Sequence, residues 1–221
     1  MKLKMLSVLL VVCLLSGIYM PVYGFSNAPK NVAIQDAKDA AWIAGHDAML
    51  RGEFHGVVKL RNPLNITRTA LRSMEGEAKI PLTLHGENLS DDGKTIMVRL
   101  SLNPSDATLP LNLYASVNSL RANNVKDMLS QRYMNPIAVI TFGQDGGFGQ
   151  EVEVMAKVDL EGMTSKNLRF YSYDSGTGSL TVLDITEYKV NKSGYVRFPV
   201  THGGEIVISI GALKRSYNES T

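Results

Sequence analysis

The sequence has little cysteine, little tryptophan and few histidines. Cys13 and Trp42 are the single cysteine and the single tryptophan among 221 residues, and there are four histidines. Because Cys13 lies in the apolar run near the N-terminus, the chain beyond it has no cysteine with which to form a disulfide. Its stability must therefore come from burial of apolar side chains, for which the chain is long enough.

The charged residues form no long run of one sign, and the basic and acidic residues are nearly balanced. The first 24 residues contain two of the 23 basic residues and none of the 21 acidic ones, so the remaining chain carries equal numbers of each. A neutral protein without a basic block is a poor binder of nucleic acid or anionic membranes, because such binding depends on clustered cations. We therefore predict no nucleic-acid partner.

The only long apolar run is too short to span a bilayer. Two lysines precede it, it covers residues 5–15, and helix-breaking residues follow. This pattern is typical of a secretory signal peptide, and we expect cleavage after Gly24. The alternative is a membrane anchor, but a spanning helix needs about 20 apolar residues. We therefore predict a secreted or cell-surface protein with no membrane span after cleavage.

The first half of the mature chain mixes helix and strand signals. Apolar residues at helical spacing predict a helix over residues 32–51, which Gly45 bends or ends early. Thr67 is expected to cap a short helix over residues 68–74, and Gly76 to close it. Strands are expected at residues 57–60, 81–85, 95–102 and 111–117.

The last third is the richest in strand signals. Strands are expected at residues 137–142, 152–158, 168–173, 180–183, 188–190, 195–200 and 205–210. A glycine-rich loop at residues 143–149 and several hairpin turns separate them. The fold class is therefore α+β, with a small α/β N-terminal part followed by an antiparallel β-sandwich-like C-terminal half.

The predicted domain organisation places a helix between the two halves. The expected segments are a signal peptide (residues 1–24), an α+β N-terminal subdomain (25–120), a connecting helix (121–135), a β-sandwich-like subdomain (136–211) and a loose polar tail (212–221). The alternative is one domain, in which the helix packs into a shared core.

Several C-terminal segments carry a resemblance to known proteins. They are AVITFGQDGGFG (138–149), VEVMAKVDL (152–160), LRFYSYDSGTGSL (168–180), GYVRF (194–198) and HGGEIVIS (202–209). These segments resemble uncharacterised exported proteins of Gram-positive bacteria and, more distantly, are similar to ZU5-like β-sandwich modules. The similarity reaches back through residues 62–71 and 98–104. It implies a fold and a compartment, and it implies no activity, ligand or catalytic residue.

No motif predicts chemistry. The four histidines lack the spacing of a metal site, and no G-x-S-x-G elbow is present. Glu151 and Glu153 share one face of a strand, which alternation makes the solvent face. The loop at residues 143–149 lacks the lysine of a phosphate-binding loop and precedes a strand. We therefore predict no catalytic residue, no metal and no cofactor.

Tyr171 and Tyr173 are the predicted ligand-binding residues. They share one face of a strand, opposite Leu168 and Phe170. If the latter pair lies in the core, the two tyrosines point outward or into a contact between domains. Exposed tyrosines can stack on sugar rings or on a partner. The alternative is that both rings pack under a loop or against the N-terminal half.

These observations favour a secreted or surface-associated, non-enzymatic binding module. Its ligand is expected to be an extracellular or cell-wall polymer, such as a polysaccharide, or an exported partner protein. One alternative is an exported hydrolase acting on glycans, which predicts a deep polar cleft with two carboxylates or a Ser/His pair. The other is a structural component of an envelope assembly, which predicts a sizeable exposed apolar patch.

Overall fold

The computed structural model describes residues 30–158, 160–164 and 166–216. Within these residues it contains three α-helices and 14 strands, which confirms an α+β fold with a β-rich part. The helices are α1 (Ile34–Leu50), α2 (Arg68–Ala78) and α3 (Leu120–Arg132). The predicted signal peptide lies outside the described residues. Among the helices that are described, none combines the length and the apolarity needed to cross a membrane.

The strands form two large sheets and one small one. In chain order the strands are β1 (Lys30–Val32), β2 (Gly56–Arg61), β3 (Pro63–Ile66), β4 (Leu82–Leu89), β5 (Ile96–Leu102), β6 (Leu111–Asn112), β7 (Ala115–Ser116), β8 (Ile137–Phe142), β9 (Gly147–Lys157), β10 (Leu168–Asp174), β11 (Ser179–Leu183), β12 (Lys189–Val190), β13 (Tyr195–His202) and β14 (Glu205–Ile210). The strand orders are β12-β13-β9-β5-β4-β2, β11-β10-β14-β8-β7 and β1-β3-β6. All pairs are antiparallel except β1–β3 and β2–β4.

The two large sheets pack face to face. Alternation places Val152, Val154 and Ala156 of β9 on the inner face, and all three are fully buried. The rings of Phe170 on β10 and Phe198 on β13 meet between the sheets, with their centroids 4.7 Å apart. Buried apolar residues of both sheets belong to one continuous core. The predicted sandwich-like C-terminal half is therefore present.

The helices α1 and α2 extend this core under the N-terminal strands. The alanine stripe of α1 is buried, and the absence of a side chain at Gly45 lets α2 approach closely. A Cβ at Gly45 would lie 2.4 Å from the backbone oxygen of Ala78. An early end of the helix at Gly45 is wrong, since α1 continues to Leu50.

The second helix begins as expected and ends later than expected. The backbone N–H of Ala70 donates to Thr67 Oγ1 at 3.1 Å, which confirms Thr67 as the cap. The helix continues through Gly76 to Ala78, and Lys79 ends it in the left-handed conformation with φ of 59°. The expected closure at Gly76 is therefore wrong by two residues.

The two predicted subdomains share a sheet. The strand β5 from the N-terminal part pairs with β9 from the C-terminal part, so the segment at residues 121–135 does not separate two independent cores. The described part of the tail, residues 212–216, is also not loose. Met134 N–H donates to Lys214 O at 3.0 Å, and Ser216 N–H donates to Arg132 O at 2.9 Å. These bonds tie the tail to the end of α3.

Candidate functional site

The helix α3 covers both tyrosines that were expected to bind a ligand. Tyr171 and Tyr173 are only 8% and 7% exposed. The hydroxyl of Tyr171 accepts from Leu213 N–H at 3.2 Å, and that of Tyr173 donates to Met128 Sδ at 3.6 Å. The expected exposure of these rings is therefore wrong, and the stacking role that depended on it loses its basis. Sequence periodicity showed which face they occupy but not that α3 lies on it.

A polar contact fixes the N-terminal end of α3 to the same sheet. The carboxylate of Glu205 on β14 is 4% exposed and accepts from Arg121 Nε of α3. A second guanidinium nitrogen of Arg121 lies 3.7 Å from Asp145 Oδ1. Ser119, which caps α3, lies 2.8 Å from the buried Thr141 through their hydroxyl oxygens. The helix is therefore a fixed layer of the fold.

A cleft of about 520 Å³ opens at the side of the sandwich. We call it the side cleft. Its lining residues are Glu151, Ser172, Leu183, Asp184, Ile185, Thr186, Glu187, Pro199, Val200, Thr201, His202, Gly203 and Ile206. They come from β9, β10, β13, β14 and the segment that crosses from β11 in one sheet to β12 in the other. This volume lies within the range of ordinary ligand sites.

A proline explains why the sheet is open here. The edge strand β12 pairs with only two residues of β13. The two pairs are Val190 with Val196 and Lys189 with Arg197, and the pairing does not continue past Lys189. Asn191 N–H donates to Tyr195 O, so odd-numbered residues of β13 direct their backbone groups toward β12. The next such residue is Pro199, which has no N–H to continue the ladder. By this alternation, the carbonyl oxygen of Pro199 faces the side cleft.

The side cleft is rich in hydrogen-bond acceptors. Its charged groups are the exposed carboxylates of Glu151, Asp184 and Glu187, and no lysine or arginine belongs to its lining. Half-buried Leu183 and Ile185 supply apolar walls. A group that combines positive charge with N–H donors therefore complements the side cleft best. Sequence reasoning missed this site, although Pro199 within a strand pattern was a signal for an open edge.

The side cleft contains carboxylates, as the hydrolase alternative predicts, but its serine and histidine are not paired. Ser172 and His202 both line it, but among the described residues no hydrogen bond joins them. His202 Nδ1 instead lies 2.9 Å from Thr201 Oγ1. Within the same residues, no group of three or more His, Cys, Asp or Glu side chains is placed to hold a metal ion.

The outer face of the six-stranded sheet is polar. Glu153 lies on it as expected, with one carboxylate oxygen 3.5 Å from Arg197 Nε. His85 is half-buried on the same face, and desolvation is the main cause that lowers the pKa of its imidazole to about 4. The charges of Arg99, Lys59 and Arg197 act in the same direction. The imidazole is therefore neutral at pH 7.

A smaller cavity of about 350 Å³ has lining amides that are already hydrogen-bonded within the fold. It lies between the β6 region and the β8–β9 turn and is lined by amide side chains, among them Asn112 and Gln144. Gln144 Oε1 accepts from Asn112 N–H at 2.9 Å, and Asn112 Oδ1 accepts from Tyr114 N–H at 3.0 Å. These amides hold the turn in place, so the side cleft remains the stronger candidate.

The chain matches no protein-family model, no curated protein and no solved structure at a significant level. The side cleft and the outer sheet face therefore have to be interpreted from their own geometry and charge.

Proposed function

We propose that the protein is a secreted or surface-associated, non-enzymatic binding module whose site is the side cleft. Its ligand is an extracellular polymer or an exported partner protein that carries primary amines. The observation that supports this proposal is a concave site lined by Glu151, Asp184 and Glu187, with no lysine or arginine among its lining residues.

The expected affinity for one amine is modest. Glu151, Asp184 and Glu187 are exposed, so each ion pair with an amine contributes about 0.2–1 kcal/mol. Three such pairs together account for roughly a threefold to hundredfold effect on the dissociation constant. A polymer with repeated amines gains further through multivalency, since each later contact becomes intramolecular. This favours a polymeric ligand or an extended polypeptide over a small molecule.

Binding to purified bacterial cell walls tests the proposal. Residues 25–221 should sediment with the walls in a saturable manner, and the triple variant Glu151→Gln, Asp184→Asn, Glu187→Gln should bind at least about threefold more weakly. The control variant Glu75→Gln, Asp91→Asn, Asp127→Asn makes the same change of charge at exposed positions elsewhere. Equal binding by both variants would show that the side cleft is not the site. Acetylation of the wall amines should abolish the difference between them.

One observation favours a second candidate, a structural component of an envelope assembly. The C-terminal end of α1 and the turn after it expose Trp42, Met49, Leu50 and Phe54, with Phe54 88% exposed. Trp42 stacks on His46, with ring centroids 5.2 Å apart. Contiguous exposed apolar side chains of this kind are typical of protein interaction sites. This candidate uses a different surface from the side cleft, so sedimentation velocity of the isolated protein separates the two.

A further inference from the structure

The outer face of the six-stranded sheet carries a row of cations that crosses the strands. Strand register places six residues side by side: Arg61, Glu87, Arg99, Met155, Arg197 and Lys189. We call this set the cation row. Four of its members are basic and one is acidic. The two-residue periodicity of the strands is what collects them on one face, although they are scattered over more than 120 residues of sequence.

The spacing of the cation row suits an extended ligand. Neighbouring strands lie about 4.8 Å apart, so Arg61, Arg99 and Arg197 stand at intervals of about 10 Å. The whole row spans about 24 Å from β2 to β12. Arg61 and Lys189 at its two ends are exposed, and Lys59 adds a further exposed cation beside Arg61. Two of the cations have an acidic neighbour on this face: Arg99 lies 2.8 Å from Glu87, and Arg197 lies 3.5 Å from Glu153.

Two buried nitrogen atoms in the middle of this face have no hydrogen-bond partner among the described residues. They are Arg99 Nε and His85 Nδ1. The Nε–H of arginine can only donate, and the Nδ1 of a neutral histidine donates in one of its two tautomers. Register places these residues diagonally across the β4–β5 pair. Buried donors without acceptors are rare in folded proteins, so an acceptor oxygen at this point would complete the site.

We propose that the cation row is a binding surface for a linear polyanion that lies across the strands, with one anionic group seated at Arg99 and His85. The charge of the row, its length and the two unpartnered donors all point to the same ligand chemistry. The acidic side cleft adjoins the β12–β13 end of this face and selects the opposite charge. The two sites are tested with probes of opposite charge, so failure of one leaves the other standing.

Binding of inorganic polyphosphate and of poly-glutamate tests the proposal. Residues 25–221 should bind at least one of these polyanions, and the affinity should fall steeply as salt rises from about 50 mM to about 200 mM. The face variant Arg61→Gln, Lys189→Gln, Arg197→Gln should lose at least about tenfold in affinity. The control variant Arg68→Gln, Arg72→Gln, Lys126→Gln removes the same charge from exposed helix positions and should bind like the unmodified protein.

Comparison of the two polymers identifies the anion, because preference for one shows whether phosphate or carboxylate oxygens are recognised. The nitrogen resonances of the His85 imidazole should shift on binding, which a merely diffuse attraction of charge would not produce. The absence of binding to either polymer, or equal weakening by the face and control variants, would overturn the proposal. So would binding that leaves the His85 resonances unchanged.

Discussion

Replacing Phe198 with alanine should lower the free energy of unfolding by about 3–5 kcal/mol. The ring is 1% exposed and packs on Phe170 between the two sheets. The ring centroid of Phe170 in turn lies 5.3 Å from that of Tyr188. The Tyr188 hydroxyl accepts from Leu168 N–H at 3.0 Å. Removal of the ring therefore leaves a cavity where the sheets meet. Urea denaturation of residues 25–221 measures the change.

The control for this experiment is Phe54→Ala, because that ring is 88% exposed. It should change the free energy of unfolding by less than about 0.5 kcal/mol. If Phe198→Ala leaves too little folded protein to measure, Phe198→Leu keeps most of the volume and should lower stability by about 1–2 kcal/mol. Equal effects of Phe198→Ala and Phe54→Ala would contradict face-to-face packing of the sheets.

Replacing Arg121 with alanine should lower stability by about 2–3 kcal/mol. The change leaves the carboxylate of Glu205 buried without its cation, and removal of one partner of a fully buried pair lowers stability by about 3–5 kcal/mol. The smaller figure applies because the Arg121 side chain is 47% exposed and is partly screened by solvent. Denaturation should be followed together with hydrogen exchange of the α3 amides, which should become faster.

A double-mutant cycle separates this ion pair from other effects of the substitution. The double variant Arg121→Ala, Glu205→Gln should be more stable than Arg121→Ala alone, because the uncompensated charge is gone. Arg72→Ala removes an arginine from an exposed position of α2 and serves as the control. If the double variant is no more stable than the single one, the buried carboxylate is not what α3 depends on.

The sequence predicted individual helices and strands better than it predicted how they pack on one another. Alternation of apolar residues in β9 and β13 and the alanine stripe of α1 are local signals, and each gave the correct element. The position of α3 depends on a contact between Arg121 and the buried carboxylate of Glu205, 84 residues apart. No local pattern reveals such a contact, so the face that holds the tyrosines was expected to be exposed.

The candidate sites could not be predicted from the sequence for the same reason. The side cleft exists because Pro199 stops the pairing of β12 with β13, which brings acids from separate strands and a crossing segment to one opening. The cation row is assembled from six strands, and it is not visible in the composition, because beyond residue 24 the chain has equal numbers of acids and bases. Strand register, which composition does not contain, brings the four cations of the row onto one face.

A nuclear magnetic resonance titration shows whether amines bind in the side cleft. Residues 25–221 labelled with ¹⁵N would be titrated with tetralysine. Tetralysine in which every amine, including each Nζ, is acetylated would serve as the control without positive charge. We expect saturable shifts at Ser172, Asp184, Glu187 and Thr201 with tetralysine only. Shifts spread over acidic residues of the whole surface, or identical shifts with both peptides, would contradict the claim.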